Sequence, residues 1–194
     1  MNREWMKRLN VVGMTLTTEE EWQPITIGNK EIEESIRMGN LQENDSKAKG
    51  LKDNSFDGGD GKSLERTIIS KQAEFAVQLW GGGTARVTQP NEFHDYPDVG
   101  DVNVRYVFDK EDGLMIMKRD QGKVPLILVC GQSPTFYLMG WVIPDYAKYQ
   151  IYKMNLGRPD PVAGFLSNMQ DHEACTYSKQ WLLPMWALSK DLVK

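Results

Sequence analysis

Residues 125–131 read Pro-Leu-Ile-Leu-Val-Cys-Gly, an apolar run closed by proline at one end and glycine at the other. A strand with one wet face alternates apolar and polar side chains; an unbroken apolar run suits a strand covered on both faces. Such a strand demands material above and below it. The rest of the chain has to supply a sheet around it and layers to sandwich that sheet.

The strongest covering element is Ser-Leu-Glu-Arg-Thr-Ile-Ile-Ser-Lys-Gln-Ala-Glu-Phe-Ala-Val-Gln-Leu-Trp, residues 63–80, followed by three glycines. Leu64, Ile68, Ile69, Ala73, Ala76, Val77 and Trp80 recur at spacings of three and four, which predicts an amphipathic helix. Ser63 is placed to cap it and Gly81–Gly83 to stop it. Glu74 falls on the flank of the apolar face. A shorter helix is expected over 29–42, where Ile32, Ile36 and Met38 share a stripe, and a loop over 43–62. Thr18 and Glu21 have the spacing of a capping box, and Pro24 ends whatever turn they start.

Three more strands are expected at 101–108, 113–119 and 135–143. The first alternates, and the acidic turn after it predicts a hairpin between 101–108 and 113–119. Residues 144–152 suit a further helix, and the Trp-, Leu- and Met-rich stretch 177–188 suits a tail packed back on the sheet. The class is α+β (mixed α/β), with a single central, mainly antiparallel sheet flanked by helices. The chain divides into an N-terminal helical or flexible segment (1–62), a core (63–145) and a C-terminal extension packing on that core (146–194).

Bulk properties narrow the class of function. With 194 residues, 40% of them hydrophobic and 26% charged, the chain suits one soluble globular domain. No apolar run approaches the ~20 residues of a membrane helix, and the first residues do not form an export signal, so an intracellular place is expected. The two cysteines follow no metal spacing and read as reduced thiols. A net charge of −4 argues against coating nucleic acid by bulk positive charge. It leaves room for local phosphate contacts, and equally for binding a basic protein surface.

The chemistry-bearing residues cluster at 97–105. Asp98 follows Pro97 in a turn; Asp101, Asn103 and Arg105 then alternate to one side of the strand, with Val102, Val104 and Tyr106 on the other. The order resembles the PD-(D/E)XK motif of the restriction-endonuclease-like nucleases, with Pro97–Asp98 as the first element and Asn103–Val104–Arg105 in the second slot. Small nuclease-like proteins of phages and prophages share a looser layout. Here it is matched by Ala-Glu-Phe-Ala at 73–76, Pro-Asp-Val-Gly-Asp-Val-Asn-Val-Arg at 97–105 and Lys-Arg-Asp at 118–120. Ile-Leu-Val-Cys-Gly at 127–131, Phe-Tyr-Leu-Met-Gly-Trp-Val at 136–142, Gly-Arg-Pro at 157–159 and Leu-Leu-Pro-Met-Trp-Ala-Leu at 182–188 follow in the same order, so the likeness runs from roughly residue 30 to 190.

The resemblance implies a restriction-endonuclease-like fold and a phage-encoded nuclease acting on DNA in the host cytoplasm. It implies Mg²⁺ (or Mn²⁺) held by Glu74, Asp98 and Asp101, with Asn103 as a weaker ligand, and a scissile phosphate met by Arg105. Lys118 and Arg119 would hold flanking phosphates. Such an ion polarises the phosphate and acidifies an attacking water. Two departures point the other way. Asn103 stands where the family most often has Glu and brings no charge. Arg105 stands where the wider superfamily has Lys, and arginine cannot act as a base. The alternative is therefore an inactive member that binds nucleic acid, or binds and inhibits a host protein. Exposed aromatic residues of the tail could serve a dimer.

Plainer readings stand beside these. Glu74 could pair with Lys71 or Gln78 on its own helix, Asp98 could be turn chemistry, and the 101–105 residues could be the wet face of an edge strand. His172 and Cys175 lack the second pair that a zinc site needs.

Overall fold

The structure, a computed structural model, describes residues 18–48, 63–90, 96–117, 120, 122, 124–148, 174–177 and 182–194, with 174–177 defined by backbone alone. Strand β1 (Gln23–Thr26) and helices α1 (Asn29–Ala48) and α2 (Ser63–Trp80) come first. Strands β2 (Asn103–Val107), β3 (Leu114–Met117), β4 (Leu126–Gln132), β5 (Thr135–Val142) and β6 (Ala174–Tyr177) follow. A helical turn begins at 144–148, and 3₁₀ turns close the chain at Met185–Ala187 and Lys190–Val193.

The main sheet has the order β1-β5-β4-β2. Two of its three pairings, β1 with β5 and β4 with β5, are antiparallel, so the expected α+β class with a mainly antiparallel central sheet is the observed one. The apolar run takes the interior position its composition requires. Ile127 and Val129 point into a core shared with α2, while Leu126, Leu128 and Cys130 point into a second core on the opposite face. On β5 the register slips between Leu128 and Val129 of its partner, and the alternation reverses there. Phe136, Leu138 and Trp141 thus face α2, whereas Met139 and Val142 face away.

Helix α2 presents Ala73, Ala76, Val77 and Trp80 to the sheet. Its other side receives α1 so closely that a Cβ on Gly39 would stand 2.6 Å from Ile68 Cγ1. Helix α1 runs six residues beyond the expected end at 42, with Glu43 and Lys47 3.2 Å apart one turn along its surface. Residues 43–48 are therefore helix and not loop, and 49–62 lie outside the described residues. The tail returns to the sheet as its composition suggests, Leu183 and Trp141 exchanging backbone bonds of 2.9 Å. Glu21 accepts the Thr18 amide at 3.0 Å, as the capping-box spacing predicts.

One pairing differs from expectation. Strands β2 and β3 do not form a hairpin. β2 runs parallel to β4, and β3 pairs antiparallel with β6 in a separate ribbon. The reason lies at the outer edge of β2. Its inner side bonds β4, beginning with the Asn103 amide on Pro125 O at 2.9 Å, so the backbone groups of Val104 face outward. Both are already taken: the amide by Asp98 Oδ2 at 2.7 Å and the carbonyl by Arg105 Nη1 at 3.2 Å. Strand β3 instead buries Leu114 and Ile116 in the second core.

Candidate functional site

The turn before β2 sets the geometry. Val99 and Val102 exchange backbone bonds of 3.0 Å in each direction, with Gly100 and Asp101 at the tip. Gly100 has φ +54°, the left-handed value that the first central residue of a tight II′ hairpin needs. Both valines are fully buried. Asp98 and Asn103 become neighbours across this hairpin, and the Asp98 amide donates to Asn103 Oδ1 at 3.3 Å. The short gap between them is thus a two-residue turn.

Asp98 meets Arg105 at the strand edge, with Oδ2 3.8 Å from Nη1. The other guanidinium nitrogen, Nη2, donates to Asp120 Oδ1 at 2.7 Å. Asp120 is buried and also accepts the Met117 amide at 2.8 Å, while its backbone carbonyl accepts from the buried Lys148 ammonium. Arg105 Nε is buried without a hydrogen-bond partner.

Glu74 lies on α2, facing the same region. Its carboxylate and the Lys71 ammonium are both almost fully buried, and Nζ stands 2.9 Å from each carboxylate oxygen. Burial pushes the Glu74 carboxyl up to about 8, against the pull of Lys71; Asp98 nearby pushes it further up and Arg105 draws it down. Glu74, Asp98 and Arg105 are therefore within electrostatic reach of one another. They come to it from different sides: Arg105 and Asn103 stand in register with Leu128 and Leu126, on the face away from α2.

Asp101 is not part of that group. At the hairpin tip it is exposed and lines a groove of about 430 Å³ with Pro97, Pro125 and Leu192. Lys118, Arg119, His94 and His172 lie outside the described residues.

A hard divalent ion wants several oxygen donors at one point. Among the described residues no group of three or more His, Cys, Asp and Glu side chains is placed to hold a metal ion. Glu74 spends both oxygens on Lys71, Asp98 spends one on the Val104 amide, and the Asn103 amide oxygen accepts the Asp98 N–H. Among the described residues, then, these oxygens are engaged by protein donors and do not converge into a set that fits Mg²⁺ or Mn²⁺. Two partners stand out that the motif alone did not mark as site residues. Lys71 is the partner one helical turn from Glu74, and Asp120 is the acid closing Lys-Arg-Asp at 118–120; each is the nearest opposite charge to a motif residue.

Comparison of the chain with protein-family models, with curated proteins and with solved structures found no match.

Proposed function

We propose that the chain is a nuclease-like protein of phage type that has kept the order of the motif but does not cut, and that it acts by binding a host protein. The observation that carries this reading is the self-pairing of the cluster. Lys71 is occupied by Glu74, and Arg105 by Asp120 and Asp98. Cations already held by protein carboxyl groups, Glu74 and Asp120 among them buried, are poor receivers of a phosphate, because turning to it would leave those buried groups without a partner. The net charge of −4 agrees with a protein partner better than with a polyanion.

The test has two arms. Supercoiled plasmid and single-stranded DNA are incubated with the protein and Mg²⁺ or Mn²⁺, and DNA binding is titrated at several salt concentrations. The expected result is no nicking with either metal, and no complex of the kind that weakens steeply with salt. Metal-dependent cleavage that Asp98→Ala abolishes would overturn the reading.

That outcome would establish the second reading, a weakened metal-dependent deoxyribonuclease. The proximity of Glu74 to Asp98 and Arg105 favours it, since acids and a cation converge there from a helix, a turn and a strand.

A further inference from the structure

The face of the sheet away from α2 is covered unevenly. Leu126 and Leu128 lie in the second core with Leu114, Ile116 and Leu182. Toward the far end of the same face the described residues cover the sheet less fully, although Cys130 itself stays buried. Pro24, Tyr137, Cys130 and Val107 stand in one row across all four strands, in register β1 to β5 to β4 to β2. Pro24, Tyr137 and Cys130 of this row form the floor of a groove of about 910 Å³, walled by Trp22 and Phe108. Tyr137, on β5, is 41% exposed and Phe108, just past the end of β2, 58%.

The rim is acidic. Glu19 and Glu20, in the turn before β1, and Asp109, after β2, border the groove, and Lys110 is the one cation among its described lining residues. Three carboxylates against one ammonium leave the rim negative. Lys110 already shows the chemistry that suits it, its ammonium standing 3.4 Å from Glu19 with both side chains more than half exposed. A loose surface pair of this kind exchanges readily for a better one.

Aromatic faces beneath a ring of carboxylates select a cation that is flat or carries a long apolar stem. Guanidinium and ammonium side chains stack on such rings, and their stems cover apolar surface. We propose that this groove docks a short basic segment of a partner protein, with an arginine or lysine side chain laid between Phe108 and Tyr137 and its charge met by Glu20 and Asp109. The proposal rests on the protein-binding reading above and assigns the surface that performs it. Nucleic acid is the wrong charge for this rim.

Fluorescently labelled peptides of about eight residues test it on the full chain by anisotropy: one with arginines spaced by glycine, and one of the same sequence with citrulline in place of arginine. Citrulline keeps the shape and removes the charge. The arginine peptide is expected to bind at least about tenfold more tightly. Asp109→Lys and Tyr137→Ala should each weaken it about tenfold with the circular dichroism spectrum unchanged. Glu33→Lys, on the exposed side of α1, alters the net charge equally and should leave binding within about twofold.

Equal binding of both peptides would overturn the proposal. So would equal loss in Asp109→Lys and Glu33→Lys, which would mark general attraction to an acidic chain. Concentration-dependent self-association abolished by Tyr137→Ala would assign the groove to a second copy of the chain and overturn it likewise. A defined host partner whose capture survives Asp109→Lys and Tyr137→Ala would remove the groove while leaving the protein-binding reading standing.

Discussion

Asp98 and Arg105 meet 3.8 Å apart beside Val104, one accepting its outward amide and the other donating to its outward carbonyl. An edge strand with free backbone groups invites pairing with another chain. Here two motif residues occupy those groups, so the pair protects the sheet whether or not it performs chemistry. Asp98→Ala is expected to destabilise the fold by about 1–3 kcal/mol, the cost of leaving a partly buried amide without its acceptor. Urea denaturation followed by tryptophan fluorescence measures this directly.

Arg105 also holds Asp120, whose side chain is 6% exposed against 23% for the arginine. Arg105→Ala strands that carboxylate beneath the surface with the Met117 amide as its remaining side-chain partner. A loss of roughly 2–3 kcal/mol is expected, below the range for a fully buried pair because water reaches the guanidinium. Adding Asp120→Asn should recover part of it. Full additivity of the two losses in denaturation experiments would show that the pair does not couple.

Glu74 and Lys71 form the other buried pair. Glu74→Leu leaves an ammonium in the core with no acceptor and should cost about 3–5 kcal/mol. The double variant Lys71→Met/Glu74→Leu removes the ammonium together with its carboxyl partner and replaces them with apolar side chains of similar volume. It is expected to approach wild-type stability, and its midpoint in urea should lie well above that of Glu74→Leu alone.

The same carboxyl gives stability a pH dependence. In the folded chain Glu74 keeps its proton up to about 8, because burial outweighs the attraction of Lys71, whereas unfolded it releases the proton near 4.5. Between those values unfolding releases a proton, so this contribution is full below about 4.5 and is lost as pH rises through about 8. The limiting slope is about 1.4 kcal/mol per pH unit. Glu74→Gln should flatten the profile across that window, and a set of urea titrations in matched buffers would reveal it. An unchanged profile in the variant would place the titration elsewhere.

Gly100 tests the turn. Its φ is +54°, and a Cβ there would stand 2.7 Å from the Leu192 carbonyl oxygen. Gly100→Ala therefore meets backbone strain and a collision with backbone that cannot swing aside, and should cost at least about 1–3 kcal/mol. Thermal unfolding by calorimetry would register the loss as a lower Tm.

Much of this architecture could be read from residue pattern. The run at 126–130 announced a strand buried on both faces, and the spacing from Leu64 to Trp80 announced the helix that covers one of them. Val102 and Val104 were set against Asn103 and Arg105 by simple alternation, and the structure separates them in the same way. Strand β1 was not legible: Gln23–Thr26 is short, contains proline, and owes its existence to the edge of β5. The partners of β2 and β3 were not legible either. Consecutive strands joined by a polar turn look like a hairpin, whereas side chains folded back onto Val104 take the outward groups that such a pairing would use there. The candidate site was legible as a list of acids and cations. Of their mutual pairings, Lys71 with Glu74 was legible as a three-residue spacing on one helix; those of Asp120 and Lys148 were not, because these meet the motif through tertiary packing and not through spacing.

The last turn of the chain, Lys190–Val193, is bound into the far end of this arrangement. The Asp101 amide bonds Leu192 O at 2.8 Å, and Val193 is fully buried. The hairpin that positions Asp98 is translated some ninety residues earlier than the segment that braces it, and domains complete themselves only when their distant parts arrive. On the ribosome, then, the acidic hairpin has to wait for Lys190–Val193 to emerge before it can lock. A premature stop just short of Leu192 would spare every motif residue and still leave that hairpin without its buttress.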